Sequence, residues 1–137
     1  MTDQQAAGRL LKRAQYRNHR SADRALAAIG TTLVQWDALR AISESPDSSA
    51  HDLAITTFQS DQSFGTLANR LEAQGLIVRT SGRGRRVEHA LTDEGRRVLE
   101  AGMEVTKGVS ARSFEKLTRD ELKMLRGLLE RVGEVSE

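Results

Sequence analysis

The stretch that decides the fold is SDQSFGTLANRLEAQGLIVRTSGRGRRVEHALT, residues 60–92. Ser60 is a favourable N-cap for a helix, and Gly75 is placed to end that helix in a left-handed conformation. Residues 76–80 and 87–91 are rich in β-branched and apolar side chains and flank SGRGRR, which predicts a β-hairpin with a basic tip. One segment therefore predicts a helix that can enter a DNA groove and a basic hairpin beside it.

Helical patterns surround this segment. Upstream, apolar residues at helical spacing predict three helices, and a short third helix before a break at residues 57–59 is typical of a helix-turn-helix. Downstream, Thr92 and the pair Thr118 and Glu121 have the positions of N-terminal caps. The predicted bounds, in chain order, are residues 8–29, 32–44, 50–56, 60–75, 76–80, 87–91, 92–110 and a last helix beginning at Thr118.

These elements predict a mainly α protein with a small β-hairpin wing, a winged helix-turn-helix with terminal dimerisation helices. We expect an N-terminal dimerisation helix over residues 1–31, a DNA-binding lobe over 32–92 and C-terminal dimerisation helices over 93–137. The terminal helices carry apolar stripes, and the small lobe offers no partner for them. A homodimer would cover these stripes.

The exposed face predicted for the helix at residues 60–75 suits DNA. With Phe64 and Leu71 facing inward, a turn of about 100° per residue directs short or hydrogen-bonding side chains outward. Alone, such a helix is better explained as an ordinary amphipathic helix, but the helix before it and the hairpin after it favour DNA binding. The predicted base-reading residues are Gln62, Ser63, Thr66 and Asn69. The residues predicted to hold the DNA backbone are Ser60, Arg70, Arg83, Arg85 and Arg86.

The distribution of charge agrees with this interpretation better than the total does. The formal net charge is only +2, but basic residues are concentrated in residues 9–24 and 79–86. Local basic clusters on a nearly neutral chain favour a directed contact with a polyanion over non-specific electrostatic binding by the whole surface. The cluster at residues 9–24 is explained equally well as a solvated helix face.

The chain resembles the MarR family of transcriptional regulators over nearly its whole length. The resemblance rests on LVQWDALRAI in the second helix, SDQSFGTLANRLEAQGLI in the fourth helix and first strand, and ALTDEGRRVLE at the start of the fifth helix. It implies a dimer with interlocked terminal helices, two winged lobes on a palindromic operator, and regulation by a small ligand. This sequence departs from the family at ITTFQ, which lacks the usual small turn residue, and at SGRGRR, which lacks an acidic residue.

The sequence gives little support for redox, metal-binding or enzymatic chemistry. The absence of cysteine excludes disulfides, thiolate zinc sites and thiol oxidation within this chain. His19, His51 and His89 lack metal-ligand spacing, and no nucleophile elbow, phosphate loop or dinucleotide fingerprint occurs. We therefore expect neither an enzyme nor a metal or other cofactor. With no signal peptide and no membrane-spanning run, the expectation is a soluble, cytoplasmic protein.

A small-molecule effector is a further expectation. Tyr16, His19 and Trp36 are the bulky candidates to line its site, and Arg9 or Arg13 could pair with an anion. Packing explains Trp36 and Tyr16 more simply, with Trp36 in the core and Tyr16 against a partner chain. Two other functions remain open, a non-specific architectural DNA-binding protein and a protein-interaction module.

Overall fold

The computed structural model describes residues 1–82, 84 and 86–134. Its elements are α1 (Asp3–Leu26), a 3-10 turn (Ala27–Ile29), α2 (Leu33–Glu44), α3 (Ala50–Thr56), α4 (Asp61–Ala73), β1 (Ile77–Ser81), β2 (Val87–Leu91), α5 (Asp93–Ser113) and α6 (Arg119–Arg131). The predicted fold class and order of elements are confirmed, since six α-helices accompany one antiparallel two-stranded hairpin.

Most helix starts follow local capping chemistry. Thr118 and Glu121 form the predicted capping box at α6, and Ser49 and Asp52 form a second one at α3. The hydroxyl of Ser60 accepts a hydrogen bond from the Ser63 backbone N–H at 3.0 Å, which caps α4. These contacts satisfy N–H groups that have no partner inside the helix, so residues close in sequence set the boundaries.

Several boundaries differ from those predicted, and three of the differences are informative. Helix α1 begins at Asp3 rather than at residue 8, because Thr2 and Gln5 form a capping box that the apolar pattern does not signal. Strand β1 starts at Ile77 because the Leu76 N–H donates to Leu71 O and closes the end of α4. Helix α5 continues to Ser113 rather than ending near Ser110.

The turn between α3 and α4 contains an unusual backbone conformation. Phe58 has φ +58°, in the left-handed region, and its side chain is 93% exposed. The turn is closed by Phe58 N–H donating to Ile55 O and Gln59 N–H donating to Ala54 O. Phe58 belongs to ITTFQ, the segment that lacks the small turn residue usual in the family, and the chain makes the turn nonetheless.

The core lies between the helix-turn-helix and the hairpin. Its fully buried large side chains are Leu26, Leu39, Ile42, Leu53, Phe64, Leu71 and Ile77. In the hairpin, Ile77 is opposite Leu91 and Arg79 is opposite His89. The ring centroids of His89 and Phe64 are 5.9 Å apart, so the second strand packs directly behind α4. This packing fixes which face of α4 is exposed.

Helices α1 and α5 pack against each other, whereas α6 is poorly covered. The hydroxyl of Ser113 on α5 donates to Asn18 Oδ1 on α1 at 2.9 Å. No residue of α6 is buried, and Met124, Leu128 and Leu129 on this helix are all exposed. Among residues 1–82, 84 and 86–134, no helix is both long enough and apolar enough to cross a membrane.

Candidate nucleic-acid interface

Helix α4 turns its hydrogen-bonding side chains away from the core. Phe64, Leu67, Ala68 and Leu71 are buried, at the spacing of one helix face. The predicted contact residues on this helix and its cap, Ser60, Gln62, Ser63, Thr66, Asn69 and Arg70, are all exposed. Gln62 and Thr66 are four residues apart and therefore lie on the same side of the helix, where Thr66 Oγ1 donates to the Gln62 backbone carbonyl at 3.1 Å. The structure therefore brings these six residues together on a continuous surface.

The N-terminus of α4 carries a charge pair that the sequence did not reveal. His51 Nδ1 on α3 lies 2.8 Å from Asp61 Oδ1, and both side chains are exposed. The hydrogen bond and the charge of Asp61 raise the pKa of His51 above its ordinary value. A protonated His51 offsets the negative charge of Asp61 at this helix end. No short-range pattern signals this pair, because its members are ten residues apart.

The C-terminal half of α4 is tied to the first strand. Arg79 Nη2 donates to Asn69 Oδ1 at 2.6 Å and to Glu72 Oε1 at 2.9 Å. The Arg79 backbone N–H donates to Glu72 Oε2 at 3.0 Å. The hydrogen bonds from Arg79 hold the pKa of Glu72 below its ordinary value. In the sequence, Arg79 is recognisable only as part of the basic cluster at residues 79–86, and no local pattern indicates a role for Glu72.

The hairpin tip is described only in part. Arg83 and Arg85, two of the predicted backbone contacts, lie outside the described residues. Arg86 is exposed, and its Nη2 donates to the Asp47 carbonyl in the turn between α2 and α3 at 2.7 Å. This bond links the base of the wing to the lobe. A main-chain oxygen thus braces Arg86, and no acidic side chain within the wing is needed for that purpose.

The three candidate effector residues do not converge. Tyr16 accepts a hydrogen bond from Arg20 Nη1 at 3.0 Å and lines an open surface hollow of about 480 Å³ with Arg20, Asp23 and Arg24. Trp36 is buried, and its Nε1 donates to the Leu99 carbonyl on α5 at 3.1 Å. Trp36 therefore packs in the core, as the simpler interpretation held, and lines neither this hollow nor the one beside His19.

The hollow beside His19 lies where the terminal helix meets the helix-turn-helix. It has a volume of about 340 Å³ and is lined by Gln15, His19, Leu33, Val34, Asp37, Thr57, Phe58 and Gln59. His19 Nε2 lies 3.3 Å from Asp23 Oδ2, and Asp23 Oδ1 accepts the backbone N–H of Leu33 at 2.7 Å. The hollow therefore adjoins the joint between α1 and α2. Within the described parts of the chain, no three acidic or histidine side chains come close enough to hold a metal ion.

Comparison with known proteins agrees with this architecture. Residues 29–86 match the sequence model of the MarR family. The HTH-type transcriptional repressor Rv2887 of Mycobacterium tuberculosis is 30% identical over 111 residues, which is 80% of this chain and 80% of Rv2887. Its structure in complex with DNA is 28% identical, with a TM-score of 0.74 over 93% of this chain and 97% of that one. Its complex with p-aminosalicylic acid gives 28% identity and a TM-score of 0.76, over 93% and 98% of the two chains. On the strength of sequence and fold together, the chain belongs to the MarR family of transcriptional regulators.

Proposed function

We propose that this protein is a sequence-specific transcriptional repressor that binds a palindromic operator as a homodimer and is released by a small ligand. The observation that carries the proposal is the exposed face of α4, where Gln62, Thr66 and Asn69 lie opposite a fully buried face. Hydrogen-bonding side chains of this kind match the base edges in the major groove of DNA. The complex of the relative Rv2887 with DNA supports the same conclusion. The proposal includes no catalytic step and places the protein in the cytoplasm.

The contact residues divide into two groups by chemistry. Base reading is assigned to Gln62, Ser63, Thr66 and Asn69. Backbone contact is assigned to Ser60, Arg70, Arg83, Arg85 and Arg86, since hydroxyl groups and guanidinium groups bind phosphate without regard to sequence. The bond from Arg86 to the Asp47 carbonyl supports a wing that is held against the lobe.

The uncovered apolar residues of the terminal helices support the homodimer. Leu128 and Leu129 on α6 and Leu10 and Leu11 on α1 are exposed within one chain. Residues 1–31 and 93–137 are accordingly assigned to dimerisation, and residues 32–92 to DNA binding. Two copies of α4 spaced about 34 Å apart, one helical turn of DNA, would read the two halves of a palindrome.

The hollow beside His19 is the best-placed site for an effector. Its walls come from α1, from α2 and from the turn that precedes α4, so a ligand there would contact both a terminal helix and the reading element. Binding that favours one angle between these parts would change the separation of the two reading helices. The complex of Rv2887 with p-aminosalicylic acid supports a small aromatic anion as the ligand class.

The test is fluorescence anisotropy with a duplex from upstream of the protein's own gene and a scrambled duplex, at several salt concentrations. The wild-type protein should prefer the operator, with a steep decrease in affinity as salt rises. Thr66→Ala should relax the sequence preference and leave the salt slope unchanged. Arg70→Ala should weaken binding to both duplexes alike and reduce the log-log salt slope by about 0.9, the contribution of one phosphate contact.

Two outcomes would contradict the proposal. Equal affinity for operator and scrambled DNA would favour the architectural alternative, in which only the backbone is bound. No DNA binding even at low salt would favour a protein-interaction module.

A further inference from the structure

We infer that Arg79 is a positioning residue that sets which atoms of Asn69 face the DNA, and thereby which bases α4 prefers at that point. This inference rests on the proposed function. Asn69 lies on the exposed ridge of α4, one helical turn before Glu72. Arg79, on β1, reaches across to both residues through the same Nη2 atom, at 2.6 Å from Asn69 Oδ1 and 2.9 Å from Glu72 Oε1.

The chemistry of the guanidinium group decides the orientation of the amide. A guanidinium has N–H donors and no acceptor, so the Asn69 atom that it contacts is the oxygen. The carbonyl of the Asn69 side chain is therefore directed toward β1. Its NH₂ group, with two donor hydrogens, is left to face outward.

This orientation restricts what Asn69 can read. Adenine is recognised by an amide that accepts from N6–H and donates to N7 at the same time. Arg79 already donates to the Asn69 oxygen at 2.6 Å and holds it toward β1, which leaves that oxygen one lone pair and poorly aimed for the adenine pairing. As a donor, Asn69 can reach two acceptors on guanine, N7 and O6, but only N7 on adenine, whose N6–H₂ donor is then left without a partner.

Arg79 is itself held in place before DNA arrives. One carboxylate, that of Glu72, accepts both the guanidinium and the Arg79 backbone N–H, at 2.9 Å and 3.0 Å. The Arg79 side chain is only 25% exposed. Bonds that fix both the main chain and the side chain leave Arg79 little freedom to turn away. The orientation of the Asn69 amide is therefore set in the free protein, before DNA binds.

The experiment measures affinity for operators that carry each of the four bases at one position after another. The Asn69→Ala variant identifies the operator position that Asn69 reads, because at that position the variant should bind all four bases with equal affinity. At that position the wild-type protein should bind guanine about tenfold more tightly than adenine, within the range for a good base contact. Arg79→Leu should free the amide and bring adenine at least to parity there. Arg79→Lys, which also only donates, should keep the wild-type ranking.

Several results would overturn the inference. One is a wild-type preference for adenine at the Asn69 position. Another is an Arg79→Leu variant that binds every operator more weakly but ranks the four bases as before, which is the result of a purely structural role. If Arg79→Leu fails to fold, the wild-type ranking and Arg79→Lys still decide the matter. Absence of base preference at every position would overturn the proposed function as well, whereas preference at other positions alone would overturn only the role of Arg79.

Discussion

Asp61 places a negative charge at the end of α4 that is proposed to meet phosphate. A carboxylate there interacts favourably with the helix dipole but repels DNA. His51 lies 2.8 Å from Asp61, and when protonated it offsets the negative charge that would repel DNA. One more charged group acts on the pair, since Asp52 also raises the pKa of His51, and Arg86 in turn lowers the pKa of Asp52. The charge state of His51 therefore sets the local potential at the interface.

We predict that DNA affinity decreases as pH rises through the raised pKa of His51. Below that pKa the imidazolium offsets Asp61, and above it the carboxylate faces phosphate uncompensated. Anisotropy titrations between about pH 5.5 and 8 measure the effect, since histidine titrates in this range. His51→Ala should bind weakly and without this pH dependence. Asp61→Asn should bind tightly, and its decrease in affinity should move to lower pH, because His51 loses the partner that raises its pKa. A wild-type pH profile that His51→Ala retains would show that another group is responsible.

His89 contributes a second, separate pH effect, on folding. It is 4% exposed, and its Nδ1 has no hydrogen-bond partner within residues 1–82, 84 and 86–134. Burial is the main cause that lowers the pKa of His89 below the ordinary 6.5, and the nearby charge of Arg79 lowers it further. The folded state therefore favours the neutral ring, while the unfolded chain takes up a proton at the ordinary pKa.

We predict that the free energy of unfolding falls as pH is lowered from about 6.5 toward the reduced pKa of His89, by about 1.4 kcal/mol for each unit that separates the two values. Above pH 6.5 the ring is neutral in both states, so this contribution is constant. Urea denaturation of the wild type and of His89→Phe across this range is the measurement. His89→Phe should lose this part of the pH dependence, and an unchanged slope in that variant would contradict the assignment.

At the scale of elements, the turn of the helix-turn-helix is strained. A non-glycine residue in the left-handed conformation costs about 1–2 kcal/mol, and Phe58 adopts φ +58° with its ring in solvent. The ring has little packing in this chain to offset the cost. Phe58 lines the hollow beside His19. If that hollow binds an effector, as proposed, the ring has a function that explains the strained backbone.

Phe58→Gly should therefore relieve this backbone strain, and the effect is best measured against Phe58→Ala. We expect the free energy of unfolding to rise by about 1 kcal/mol relative to Phe58→Ala, because alanine keeps the left-handed strain and glycine relieves it. Thermal and urea denaturation of the two variants isolate the backbone effect, since both remove the ring. Equal stability of the two variants would mean that the turn carries no such strain.

At the scale of the whole molecule, α6 is the helix with the least cover. Its strong apolar stripe has no buried residue within one chain, so its stability as part of a fold depends on another surface. Under the proposed dimer, that surface is the second copy. Leu129 lies on the stripe, and Glu130, the next residue, is exposed as well.

Leu129→Lys should shift the protein from dimer to monomer and weaken operator binding by at least about tenfold, because a buried unpaired charge costs more than about 1.4 kcal/mol. Sedimentation velocity reports the mass, and anisotropy reports the binding. Glu130→Gln changes the net charge by the same amount at the neighbouring position and should remain a dimer. A Leu129→Lys protein that stays dimeric would place the interface elsewhere.

The sequence by itself determined the features that depend on neighbours a few residues apart. Ser49 with Asp52 and Thr118 with Glu121 cap helices, Gly75 ends one at φ +73°, and apolar spacing on α4 sets its buried face. Each of these depends on contacts within about one or two helical turns, which sequence spacing encodes directly.

Only the tertiary structure decided the contacts between distant residues. His51 meets Asp61, and Arg79 meets Asn69, across ten positions each, and Arg86 reaches the Asp47 carbonyl across 39. The partner of the buried Trp36 indole is the Leu99 carbonyl, 63 positions away, which no spacing in the sequence indicates. The direction in which a long polar side chain turns depends on the packing of whole helices and strands against one another, and no local pattern in the chain records that packing.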